Sequence, residues 1–221
     1  MSQAPAMSEA PAMSEFEALE RALMEVPAAE ADLPLPELEA AATSAGLLDV
    51  AYATFDSPVG RLLLATTPEG LVRLAYVDDE EQEDSVLAQL AAKVSPRILA
   101  APRKLDRPRH ELDEYFAGAR RRFDAPLDWR LTRGFGRRVL EATARIPFGS
   151  SSTYLQVASE AGSPRGSRAA GNALGANPLP IIVPCHRVLH STGGLGGYTG
   201  GLERKRLLLA IESGQETLSV G

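Results

Sequence analysis

From Ala51 to Val77 the apolar residues run with a period of two, and after Leu131 that period gives way to a helical one. The change constrains the fold more than any other feature of the chain. Period two sends alternate side chains to opposite faces of a strand, whereas a period of 3.6 gathers them on one face of a helix. Ala51–Phe55, Arg61–Thr66 and Leu71–Val77 read as strands, with turns at Asp56-Ser-Pro-Val-Gly60 and Thr67-Pro-Glu-Gly70. The three are expected to form an antiparallel meander. An acidic run, Asp78 to Asp84, leads into a helix over Val86–Val94, and another helix is expected from about Arg107 to Ala117. Arg120-Arg121-Arg122 would then lie at a helix C-terminus, where the macrodipole favours cations. Phe123–Trp129 reads as a connector.

The 221 residues suit one or two domains. The expected division is an acidic, partly disordered extension over 1–49 with one or two short helices, an α/β domain over 50–130, a helical domain over 131–214 and a tail over 215–221. In the extension, Ala-Pro-Ala-Met-Ser-Glu occurs twice, at 4–9 and 10–15. Ser14-x-x-Glu17 then reads as a capping box for a helix through Phe16, Leu19, Leu23 and Val26. A second helix is expected from Pro36 to Ala45, with Gly46 as its stop.

Charge is divided unevenly. Residues 1–50 hold ten acids and one base, whereas residues 131–221 hold five acids and ten bases. The overall −6 therefore conceals a C-terminal part of net +5 that can face an anion, although a merely solvated basic surface has the same composition. No run approaches the roughly 18 apolar residues of a membrane span, and Met1–Ala12 lacks the features of a secretory signal. The single cysteine excludes an internal disulfide and any zinc site built on several thiolates. It suits a reducing compartment, and a cytoplasmic location is expected.

The C-terminal part is mostly helical. A helix from Thr132 carries Phe135, Val139 and Leu140 and ends at Ile146-Pro-Phe-Gly149. Thr153–Gly162 reads as a short helix, and Pro164 opens another that runs to about Gly175. Two short helices joined by a tight glycine-containing turn make a helix-turn-helix candidate. The second is dominated by small residues, Ala169, Ala170 and Gly171 among them, with Arg168 as its one long side chain. Such a face suits close packing on a neighbouring helix or close approach to a sugar–phosphate backbone.

Asn177-Pro-Leu-Pro-Ile-Ile-Val-Pro184 reads as an extended, proline-punctuated strand that delivers Cys185-His186-Arg187-Val188. A lone cysteine is commonly a small buried hydrophobe. Here His186 and Arg187 follow directly, and nearby positive charge is expected to lower the thiol pKa. A loop with six glycines in ten residues, Thr192–Gly201, comes next and can fold closely over a flat ligand. The helix beyond it, Leu202–Ile211, leads to Glu212, a carboxylate that can orient His186 as a base. His110 and His190 read as ordinary surface histidines.

Pro184-Cys185-His186-Arg187-Val188, with Asn177-Pro178 before it and Gly197-Tyr198-Thr199-Gly200-Gly201-Leu202 after it, resembles the O(6)-alkylguanine-DNA alkyltransferases. Ile146-Pro-Phe-Gly149 with Tyr154, and Leu112-Asp-Glu-Tyr-Phe116, resemble the same family, and the likeness covers about residues 51–214. The resemblance implies an N-terminal ribonuclease-H-like α/β (α+β) domain with a small antiparallel sheet and a C-terminal winged-helix-like domain. It implies irreversible alkyl transfer from O6-alkylguanine in double-stranded DNA to Cys185, once per molecule, with no metal and no cofactor. By the same resemblance His186 is the base, acting through a water, Glu212 holds it, and Asn177 braces the pocket. Tyr154 would donate to the leaving guanine, Tyr198 and Thr199 would line its pocket, and the Val188 backbone would meet the base edge. Arg168 would fill the place of the flipped base while Ala169, Ala170 and Gly171 enter the minor groove.

Gly175-Ala176 stands where some relatives carry an arginine, so DNA contact would rely on Arg165, Arg133, Arg137 and Arg138. A monomer with no membrane partner is expected. The alternatives are a lesion-binding sensor that transfers nothing, against which Cys185 argues, and a cysteine hydrolase, against which the adjacency of Cys185 and His186 argues.

Overall fold

The computed structural model describes residues 35–214. The helix expected over 14–26 and the tail over 215–221 lie outside the described residues. Helix α1 (Leu35–Ser44) precedes strands β1 (Val50–Phe55), β2 (Leu62–Thr67) and β3 (Gly70–Tyr76). The three strands pair antiparallel in sequence order, as the meander predicts. A fourth strand, β4 (Ile98–Ala100), joins the β1 edge in parallel, which makes the sheet mixed with the order β3-β2-β1-β4. Three residues just after Pro96 are too short a run to show a period, so the sequence reading lacked this strand.

The sheet is buried on both faces. Leu62 and Leu64 point to one core cluster, and Leu63 and Ala65 to another. Helix α2 (Glu80–Lys93) covers the second face with Val86 and Leu90. It begins six residues before the expected start, because the acidic run is its first turn. Asp79 caps it by accepting from the Gln82 amide, and Glu80, Glu81 and Glu83 face the positive end of the macrodipole. A register shift opposite Ala65/Thr66 places Leu71 and Leu74, three apart, on the same face. Tyr76 follows Leu74 on that side and packs toward the C-terminal half.

Helix α3 (Asp106–Phe116) ends before the basic triplet, so Arg120 does not cap it as expected. Arg120 instead folds back onto Glu114 at 2.7 Å and Asp124 at 2.9 Å. The connector then runs beside β3, with the Leu71 amide donating to the Pro126 carbonyl and the Asp128 amide to the Leu71 carbonyl, each at 2.8 Å. Gly70, at φ +139°, lets it pass, since a Cβ there would meet the Pro126 backbone.

Helices α4 (Gly134–Ala144), α5 (Tyr154–Glu160) and α6 (Ser167–Gly175) pack together in the C-terminal half. Thr153 and Gln156 form a full capping box on α5. Pro164 does not open α6: it lies in the turn, and α6 starts three residues later after Gly166. Strands β5 (Ser152–Thr153) and β6 (Val188–Leu189) pair in parallel, and helix α7 (Leu202–Ser213) closes the fold. One core cluster joins both halves, from Leu62 and Tyr115 to Val183 and Leu208.

Candidate active site

The segment before Cys185 is not the extended strand that its prolines suggest. It is a series of turns, with the Ile182 amide donating to Pro180, Val183 to Leu179 and Cys185 to Val183. Ile181 sits at φ +72°, a conformation that costs a β-branched residue of order 1–3 kcal/mol. Full burial of its side chain and the Asn177 amide offset that strain. Asn177 accepts from the Leu179 amide at 3.0 Å and donates to the Val183 carbonyl at 2.9 Å and to Cys185 Sγ at 3.2 Å. One buried amide therefore shapes the turn and touches the sulfur.

Cys185 begins a short 3-10 turn through Arg187 and lines a cavity of about 550 Å³. Its thiol is not activated at rest. Burial pushes it up to about 11, against the Asn177 hydrogen bond and the charge of Lys205. This corrects the expectation of a lowered thiol pKa. Burial leaves the sulfur little solvation, and Arg187 is committed elsewhere.

That commitment is to Glu212. Its carboxylate accepts from Arg187 Nε at 2.9 Å and Nη2 at 2.8 Å, His186 Nε2 at 2.8 Å, the Tyr115 hydroxyl at 2.7 Å and the Gly149 amide at 3.1 Å. Arg187 also reaches the Ile146 carbonyl at 2.5 Å. Burial alone would raise the Glu212 pKa, but the His186 and Arg187 hydrogen bonds outweigh it and hold the group at about 2. Burial lowers the pKa of His186 despite Glu212, so the ring is neutral near pH 7. With Nε2 turned to Glu212, its Nδ1 is buried without a partner among the described residues.

Lys205 is a site residue that the sequence reading missed. It is fully buried and donates to the carbonyls of Val188 at 2.7 Å, Leu195 and Gly197. Burial lowers its pKa to about 8. Arg204 and Arg206 on either side disguise it as a surface lysine. The available signal is spacing: Lys205, Leu208 and Glu212 fall at i, i+3 and i+7, one stripe of α7.

Tyr154, Arg168, Gly171, Tyr198 and Thr199 line the cavity with Cys185, as do Leu174, Gly175 and Gly197. Thr199 ties the glycine-rich loop to the end of α6 through the Gly175 carbonyl at 3.0 Å. Gly196, at φ +69°, leaves room for the Tyr154 hydroxyl, which a Cβ would displace. Two expected positions differ. Val188 stands outside the cavity, its amide donating to the Cys185 carbonyl and its own carbonyl accepting from Lys205. Ala170 is fully buried in the core, which leaves Ala169 exposed and Gly171 against the Tyr154 ring. Arg165 is exposed in the turn between α5 and α6, apart from the cavity. His190, read as an ordinary surface residue, lies on the cavity rim with its ring 5.2 Å from that of Tyr154.

A family model for the ribonuclease-like domain of 6-O-methylguanine DNA methyltransferases matches residues 50–129, and one for their DNA-binding domain matches residues 134–214. A methylated-DNA–protein-cysteine methyltransferase of Mycolicibacterium paratuberculosis is 48% identical over 102 residues, which are 46% of this chain and 61% of that protein. The inducible one of Bacillus subtilis is 42% identical over 102 residues, 46% of this chain and 56% of that protein. The match thus spans about three fifths of the length of these curated relatives. The crystal structure of Mycobacterium tuberculosis OGT in complex with DNA superposes with a TM-score of 0.63 at 36% identity, over 75% of this chain and 94% of that one. Among the described residues no helix is long and apolar enough to cross a membrane.

Proposed function

The chain belongs to the 6-O-methylguanine DNA methyltransferase family, and from that premise we propose that it repairs duplex DNA by moving the alkyl group of O6-alkylguanine onto Cys185. One juxtaposition carries the proposal: a thiol in the wall of a base-sized cavity, backed by a buried imidazole that a carboxylate holds in one orientation. Methyl transfer from an aryl ether calls for a soft anionic nucleophile, and the resting thiol is protonated. His186 supplies the base. Its Nδ1 lone pair takes the thiol proton by way of a water, and Glu212 stabilises the imidazolium that forms. The S–C bond then forms as the C–O6 bond breaks in line, and the electron pair stays with the guanine. Tyr154 donates toward the departing base and reduces its charge. The guanine anion takes up a proton from water, the imidazolium gives its proton back to water, and no electron is exchanged, so the step calls for no cofactor. The thioether is not reversed, and each molecule acts once.

Extruding a base from the stack costs a few kcal/mol. Arg168, exposed at the start of α6 and on the cavity rim, fills the gap. Ala169 beside it lets the helix enter a minor groove about 6 Å wide. We take the functional division to fall between a structural part over 50–130 and a DNA-binding, alkyl-accepting part over 131–214, in a monomer. An unpaired thiol suits the reducing cytoplasm.

The test is the intact mass of the protein after incubation with a duplex carrying one O6-methylguanine. One methyl on the Cys185 peptide, in proportion to DNA consumed, is the expected result. An unmodified protein that still binds the lesion would replace this reading with that of a sensor.

A further inference from the structure

Tyr76 ends β3, in the sheet half of the chain, yet its hydroxyl lies 2.8 Å from that of Tyr198 in the cavity wall. The rings meet near a right angle, with centroids 6.2 Å apart. Tyr76 is itself clamped. The Arg204 guanidinium lies over its ring, 4.5 Å from the centroid. That guanidinium also donates to the Val59 carbonyl at 2.6 Å and the Gly200 carbonyl at 3.3 Å, and it pairs with Asp78. Gly200 packs so closely on the ring that a Cβ there would run into it. On its other side Tyr198 meets the His186 ring edge-on, at 6.4 Å and 89°. A line of contacts therefore runs from the sheet through two phenols to the ring behind Cys185. Burial raises the pKa of both phenols, so each keeps its proton at neutral pH and one hydroxyl always donates to the other.

Tyr198 needs such a hold. It stands on the loop with six glycines in ten residues, whose backbone has little stiffness of its own. Thr199 and Lys205 tie that loop through carbonyls, but the bond from Tyr76 is the only hydrogen bond to the Tyr198 side chain among the described residues. We propose that Tyr76 is a positioning residue for alkyl transfer: its hydroxyl holds Tyr198, and through it the glycine-rich loop, as the wall against which the extruded base is seated. The proposal rests on the alkyl-transfer reading and adds to it a role for the N-terminal half at the reacting centre. Small misplacements of a bound reactant are costly in rate, and one neutral hydrogen bond is worth about a fivefold change in an equilibrium.

Tyr76→Phe, Tyr198→Phe and the double variant test it. Each keeps the rings, the Arg204 stack and the apolar volume, and melting temperatures within a few degrees of the parent verify that the fold is intact. The readouts are the single-turnover methylation rate of Cys185 at saturating duplex and the affinity for that duplex. Expected is a rate about fivefold lower in all three variants, with affinity unchanged within twofold. Because both hydroxyls make the same bond, the double variant is no slower than either single one. An unchanged rate in Tyr76→Phe overturns the proposal, as do single effects that multiply in the double variant or a loss confined to affinity. The parent protein, run alongside, tests alkyl transfer itself: a parent that never methylates Cys185 overturns that reading, whereas a parent that does leaves the variants to decide about Tyr76.

Discussion

Behind Cys185, Glu212 accepts from the buried side chains of His186, Arg187 and Tyr115 and from the backbone amide of Gly149. In front of it, the cavity is walled by glycines, two tyrosines and the exposed Arg168. The two sides ask different things of their residues. A carboxylate inside the protein is tolerable only when its charge and lone pairs are matched, so the rear is a closed polar network that rigidifies its members. A pocket for an incoming base must leave donors uncommitted, so the front carries few internal hydrogen bonds. The Nδ1 of His186 is left without a hydrogen-bond partner among the described residues, and it is the atom to which our proposal gives the thiol proton. Adjacent residues, Cys185 and His186, thus face the open cavity and the closed network respectively.

If that separation holds, Cys185→Ala gives the largest effect on transfer and a small one on stability. Loss of alkyl transfer should be complete, while duplex binding remains and unfolding free energy changes by about 1 kcal/mol. A destabilisation several times larger, measured in urea, would join the two sides. Glu212→Ala should do the reverse to the fold. It leaves Arg187 and His186 buried without their partner and should cost about 3–5 kcal/mol in the same measurement. The Glu212 pKa is depressed from 4.5 to about 2 in the folded protein. Its contribution is therefore complete above pH 4.5 and is lost as pH falls toward 2. The parent should lose stability across that window more steeply than Glu212→Gln, and equal slopes would show that Glu212 is not the group responsible. The smallest effect belongs to the rim. Arg168→Ala should slow repair of a duplex about tenfold, on the order of the energy of a lost stacking partner, and leave repair of a single-stranded lesion unchanged. Equal slowing on both substrates would move Arg168 from base extrusion to general phosphate binding.

Much of the fold could be read from the chain because local rules agreed with tertiary ones. The meander, the short helix within Thr153–Gly162 and the stop at Gly46 each express a short-range preference. Where long-range contacts decided, the reading failed. Nothing local announces β4, whose three residues gain their place from β1. Prolines suggested an extended 177–184, but a turn held by the Asn177 side chain overrode them. Lys205 carries no local sign of its burial, because the carbonyls of Val188, Leu195 and Gly197 that complete its shell meet it only once the loop before α7 has folded.

The sequence by itself determined the order of a sheet half and a helical half, and it singled out the cysteine, histidine and carboxylate to which we assign the chemistry, because these rest on period, residue type and motif. Only the tertiary structure decided the state of the thiol, the use of Arg187 and the pairing of Tyr76 with Tyr198. Desolvation and hydrogen-bond closure depend on what residues far along the chain bring to one point, and no local pattern encodes that.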